Sequence, residues 1–102
     1  MSYENNGAMT WEEFVESKFD GRDYQFPDFD GKFMATITCK RWNQRGNMLV
    51  YLDGDDGRKI ITSARPKDGF CGLDEMPVGT KICAVFGESN LGNFFLRTAE
   101  EI

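Results

Sequence analysis

"KFMATITCKRWNQRGNMLVYLDGDDGRKIITSA", residues Lys32 to Ala64, alternates apolar and polar side chains in three runs separated by two glycine-containing turns. A period of two places alternate residues on opposite faces of a strand, so the three runs read as consecutive antiparallel strands. In the first, Phe33, Ala35, Ile37 and Cys39 share one face, and Met34, Thr36, Thr38, Lys40 and Trp42 share the other. Closing the first turn over "NQRG" pairs Trp42 with Asn47, sets Cys39 opposite Val50 and Ile37 opposite Leu52, and places Lys40 opposite Leu49 and Thr38 opposite Tyr51 on the reverse face. Closing the second over "GDDG" pairs Asp53 with Arg58, so that Tyr51 faces Ile60 and Leu49 faces Thr62 on that same reverse face. This assignment depends on loop length, because a slip of one residue exchanges the two faces.

Outward from this stretch the pattern changes. "TKICAVFGE" and "NFFLRTAE" read as two further strands around an "SNLG" turn. "RPKDGFCGLDEMPVG", from Arg65 to Gly79, is rich in proline and glycine and reads mainly as loop, with at most one helical turn near Leu73 to Met76. On the other side, Thr10 is a good N-cap and Glu13 lies at the capping-box spacing, while Trp11, Phe14, Val15 and Phe19 fall near helical spacing. A short amphipathic α-helix is expected from about Trp11 to Phe19. Gly21 ends it, and "DYQFPDFDG" follows as an extended connector carrying Tyr24, Phe26 and Phe29. Residues 1–9 are expected to be flexible and residues 10–102 to form one domain, with helix and connector over 10–30 and a five-stranded barrel over 31–102.

The chain has 102 residues and a net charge of −5 that is unevenly distributed. Residues 1–31 carry −6, residues 32–70 carry +4 and residues 71–102 carry −3. The negative total opposes indiscriminate binding of polyanions, but the middle segment is a surface that attracts phosphates at short range. Apolar runs such as "MLVYL" are far too short to span a membrane, and the acidic N-terminal stretch does not resemble a targeting peptide, so a cytoplasmic location is expected.

Several chemistries are disfavoured. With no histidine and three widely separated cysteines, Cys39, Cys71 and Cys83, neither a zinc site nor a disulfide framework is expected. Cys39 and Cys83 alternate with apolar neighbours and read as buried thiols. Cys71, in the loop "GFCG", is the candidate for exposure, yet no histidine exists to activate it. "DGDDG" clusters carboxylates, but Arg58 and Ala64 stand where a calcium loop counted from Asp53 needs glycine and glutamate. No phosphate-binding or nucleophile-elbow motif is present, so no enzyme, metal or cofactor is expected.

Over Gly31 to Glu100 the order of elements resembles an OB-fold, with five strands, a variable third-to-fourth connection and "PVGTKICAVFGESNLGNFFLRTAEE" as the closing hairpin. An SH3-like barrel shares these features and stays open as an alternative. The resemblance implies an all-β barrel with a ligand surface on strands two and three flanked by loops. It implies a single-stranded DNA or RNA site in which Trp42 and Tyr51 stack on bases beside Ile60, while Lys40, Arg41, Arg45, Arg58 and Lys59 track phosphates. The competing expectation is that the N-terminal aromatics cover Tyr51 and Trp42 and that the cations are solvated turn charges. In that case the acidic, aromatic-rich N-terminal segment suggests a protein-interaction module, such as a phage or mobile-element product that docks on or inhibits a host factor.

Overall fold

A computed structural model of the chain describes residues 21–102. The expected flexible segment and the expected N-terminal helix both lie outside these residues. The described part is mostly β, with five antiparallel strands: β1 (Gly31–Trp42), β2 (Met48–Gly54), β3 (Lys59–Ala64), β4 (Lys81–Glu88) and β5 (Phe94–Glu101). They form one sheet in the order β3-β2-β1-β4-β5. The sheet is not closed into a barrel, because no strand pairing links its edges β3 and β5.

Strand β1 is long enough to serve two neighbours. Its first half, Gly31 to Thr36, pairs with β4, and its second half, from Ala35 to Trp42, pairs with β2. The shared strand brings side chains from all five strands onto one face. Phe33, Ala35, Ile37, Val50, Leu52, Ile60, Ile82, Ala84, Phe86 and Leu96 form that core, joined by Leu73 from the β3–β4 connection. Each of the larger side chains contributes about 1.5–3 kcal/mol by leaving water.

The three hairpins use one turn design. Asn43 N–H donates to the Asn47 carbonyl at 3.0 Å, Gly54 to Arg58 at 2.7 Å and Ser89 to Asn93 at 2.7 Å. The loops inside these pairs end in Gly46, Gly57 and Gly92, with φ of 83°, 92° and 82°. A three-residue loop ending in a left-handed residue is the hairpin that carries a glycine bulge.

This geometry corrects the register expected in both central hairpins. Trp42 pairs with Met48 rather than Asn47, and Asp53 pairs with Lys59 rather than Arg58. Each glycine occupies the bulge position of its loop, which adds one residue to the following strand. As a result Leu52 faces Ile60, Val50 faces Thr62 and Tyr51 faces Ile61. Ile60 and Thr62 are therefore buried on the core side, not on the reverse face beside Tyr51.

A second irregularity lies in β1, whose register with β2 shifts between Ile37 and Cys39. Ile37 still faces Leu52 as expected, but Cys39 faces Tyr51 and Lys40 faces Val50. The extra residue, Thr38, exchanges the faces of everything that follows it in the strand. Cys39 is buried as anticipated, but in a small cluster with Tyr24 and Tyr51 on the reverse face, while Cys83 is only half-buried. Lys40 and Trp42 are turned toward the core side.

The β3–β4 connection is more structured than its composition suggests. It runs as 3-10 turns over Pro66–Glu75, interrupted at Gly69, Phe70, Cys71 and Gly72 by left-handed backbone.

Candidate nucleic-acid interface

The bulge and the hairpin register distribute the eight expected contact residues over different surfaces. Tyr51 is buried. The connector reaches it from the side: Gln25 N–H donates to the Lys59 carbonyl at 3.1 Å, and Ile61 N–H donates to the Gln25 carbonyl at 2.9 Å. This short parallel bridge to the edge of β3 seats Tyr24 edge-on against Tyr51, with ring centroids 5.3 Å apart. The Tyr24 hydroxyl donates to the Asp53 carboxylate. Burial, reinforced by that hydrogen bond, pushes the phenol up to about 12.

The cations of the reverse face are engaged in the same packing. The Arg41 guanidinium lies 5.5 Å from the Tyr51 ring centre, and the Lys59 ammonium lies 5.0 Å from that of Tyr24 and 3.9 Å from the Asp53 carboxylate. Arg58 lies instead on the core side, over Phe29 at 4.3 Å and Phe33 at 5.1 Å, and pairs with Asp56 at 2.7 Å. The Arg58 backbone N–H, then its guanidinium, hold the Asp56 carboxyl below its usual range. Asp55 pairs with Lys81 at 3.3 Å. The carboxylates of the "DGDDG" turn thus neutralise neighbouring cations, and among the described residues no three potential metal ligands come together.

Lys40 has a different task. Its ammonium donates to the carbonyls of Leu73 at 3.1 Å and Met76 at 2.6 Å, tying the end of the β3–β4 connection to β1. Charge-assisted bonds of this kind are stronger than neutral ones, and the Leu73 carbonyl also accepts from the Met76 N–H at 3.2 Å. Trp42, two residues on, is 61% exposed and meets Phe70 edge-on at 5.2 Å. Arg45 is exposed in the adjacent turn. Of the expected residues, Trp42 and Arg45 therefore remain together at an open surface, at the end of the first hairpin.

The residue that follows Phe70 borders a separate groove. Cys71 forms part of the wall of a cavity of about 520 Å³ between β3 and β5, which is also lined by Phe26, Ser63, Arg65, Asn93 and Phe95. Phe26 is 65% exposed and Phe95 is 39% exposed. Arg65 pairs with Asp68 at 3.2 Å, both half-exposed, and the Arg97 guanidinium stands 5.8 Å from the Phe95 ring centre. The Cys71 thiol donates to the Arg97 carbonyl at 3.7 Å, and burial pushes that thiol above its ordinary range. A raised thiol holds less thiolate at neutral pH and is a poorer nucleophile.

The sequence reading placed Phe26 among the connector aromatics expected to be covered, whereas it is exposed, and did not single out Phe70, Phe95 or Arg65. One signal was available: adjacent rings at Phe94 and Phe95 in a strand must point to opposite faces, so one of them leaves the core. Among the described residues no helix is long and apolar enough to cross a membrane. Compared with known protein families, curated proteins and solved structures, the chain gives no significant match.

Proposed function

We propose that the domain is a cytoplasmic, non-enzymatic OB-like module that binds single-stranded nucleic acid along the surface from Trp42 to the β3–β5 groove. The observation that carries this reading is the set of exposed rings: Trp42 with Arg45 in the turn beside it, Phe26 and Phe95 in the groove that Arg65 and its partner Asp68 also line, and Arg97 against Phe95. Rings give bases a stacking face whatever their sequence, and arginines meet the phosphates between them. The strand order and the long first strand shared by two hairpins support the OB-like assignment, in which the β1–β2 and β4–β5 loops flank the ligand. Here those loops are the turn next to Trp42 and the one that contributes Asn93 to the groove. The acidic protein-docking alternative rests on the net charge of −5 and on the segment from Glu12 to Asp30, part of which lies outside the described residues.

Anisotropy of a fluorescently labelled single strand tests the proposal. Binding should weaken with salt, exceed that of the matching duplex, and fall by about 1–3 kcal/mol in Trp42→Ala and in Phe95→Ala. Absence of binding at low salt rejects it.

A further inference from the structure

Four consecutive residues of the β3–β4 connection adopt left-handed backbone: Gly69 (φ 62°, ψ 27°), Phe70 (φ 54°, ψ 23°), Cys71 (φ 52°, ψ 26°) and Gly72 (φ 79°, ψ 0°). Glycine enters this basin freely, but an L side chain resists it because Cβ crowds the following carbonyl. Two non-glycine residues in succession persist there only when surrounding contacts over-determine them, and such positions cluster at ligand sites. The contacts are identifiable. Phe70 N–H donates to the Arg65 carbonyl at 3.0 Å, the Cys71 thiol reaches the Arg97 carbonyl, and Leu73, fully buried, anchors the far side. Lys40 grips the carbonyls of Leu73 and Met76. The outer end of this assembly is the Phe70 ring, half-buried against the core and set edge-on to the exposed indole of Trp42 at an interplanar angle of 88°.

We infer that Phe70 is a positioning residue for the oligonucleotide surface: the left-handed turn, locked by Lys40, holds its ring against Trp42 and keeps the indole in one orientation before a base arrives. Only the ligand class in this inference rests on the nucleic-acid reading. A ring held in advance gives up less conformational freedom on binding than a mobile one. A right-handed backbone at Phe70 would point the ring elsewhere and release Trp42. Lys40, assigned to phosphate by sequence reasoning, thereby acts on the ligand through the turn.

The test uses the full chain carrying Trp11→Phe, which leaves Trp42 as the sole tryptophan. Without ligand, Phe70→Leu should raise acrylamide quenching of Trp42 about twofold or more, because an edge-on ring pair corresponds to roughly a two- to tenfold change in the displaced population. Its melting temperature should change little, since leucine retains the left-handed demand and most of the apolar volume. Lys40→Met should raise quenching in the same direction. With an oligonucleotide of about 12 deoxythymidines, Phe70→Leu should weaken binding at least about fivefold, the low end of one stacked base. Unchanged Trp42 quenching in both Phe70→Leu and Lys40→Met overturns the inference whatever the oligonucleotide does. Failure of the parent protein to bind the oligonucleotide overturns the nucleic-acid reading alone.

Discussion

Tyr24 stands edge-on to Tyr51, their planes 87° apart, and its hydroxyl donates to Asp53 two residues further along β2. This pair decides which face of the sheet is open. With Tyr51 beneath Tyr24, the reverse face of β2 and β3 offers no bare tyrosine to a ligand, and among the described residues the exposed rings are Trp42 at the end of β1, Phe26 in the connector and Phe95 on β5.

The Tyr24 phenol supplies a pH test. Its folded value of about 12 lies above the ordinary 10.0, so the neutral form is favoured in the native state. The stability contributed is fully present below pH 10 and is lost as pH rises from 10 toward 12. Ultraviolet titration should show a late tyrosine ionisation, and Tyr24→Phe should abolish that late step. Near neutral pH the same variant should be less stable by about 1 kcal/mol in urea unfolding, a gap that closes above pH 10.

Lys40→Met keeps the aliphatic stem and removes the ammonium from the Leu73 and Met76 carbonyls. A loss of about 1–3 kcal/mol in chemical denaturation is expected. If Lys40 makes no phosphate contact, the dependence of oligonucleotide affinity on salt keeps its slope. A slope reduced by about 1 would return Lys40 to the phosphate-binding set.

Gly54 closes the second hairpin where the Phe33 ring approaches the backbone. A Cβ at this position would lie 2.5 Å from Phe33 Cζ and 2.7 Å from Asp56 Oδ1, so the buried ring would have to shift. Gly54→Ala should therefore cost about 1–3 kcal/mol through overpacking. Thermal unfolding compared with a Gly54→Ala, Phe33→Leu double variant checks the cause, since the smaller side chain should recover part of the loss.

Deleting Thr38 removes the bulge in β1 and restores unbroken alternation. Lys40 and Trp42 would then turn to the reverse face and Cys39 into the core, so a destabilisation of about 3 kcal/mol or more is expected. Loss of the near-ultraviolet circular dichroism of the Trp42–Phe70 pair, with strand content retained, would report the rotation directly.

How far these arrangements were legible in the sequence differs by element. The five strands were readable from alternation, and their ends fall within a residue or two of the observed ones, because half-buried strands carry their faces in their composition. Register was not readable to one residue. Gly46 and Gly57 announced turns but not whether each lay inside a loop or on its bulge, and Thr38 looks like any outward-facing threonine. Those ambiguities moved Lys40, Trp42, Ile60 and Thr62 across the sheet. Phe70 and Leu73 were hidden for another reason. Their partners Trp42 and Lys40 lie in β1, and a connection held by such distant contacts resembles an unstructured loop when read locally.

The division of β1 between two neighbours has a kinetic consequence. Strands β1, β2 and β3 form a meander of nearby residues, whereas the β4–β5 hairpin joins it through Gly31 to Thr36, across the whole of β2, β3 and the connection that follows. Local pairing costs less loop entropy than distant pairing, so docking of the second hairpin should form the barrier to folding. Conservative truncations within the meander, such as Ile60→Val, and at the docking seam, such as Ile82→Val, should then both slow refolding in stopped-flow measurements.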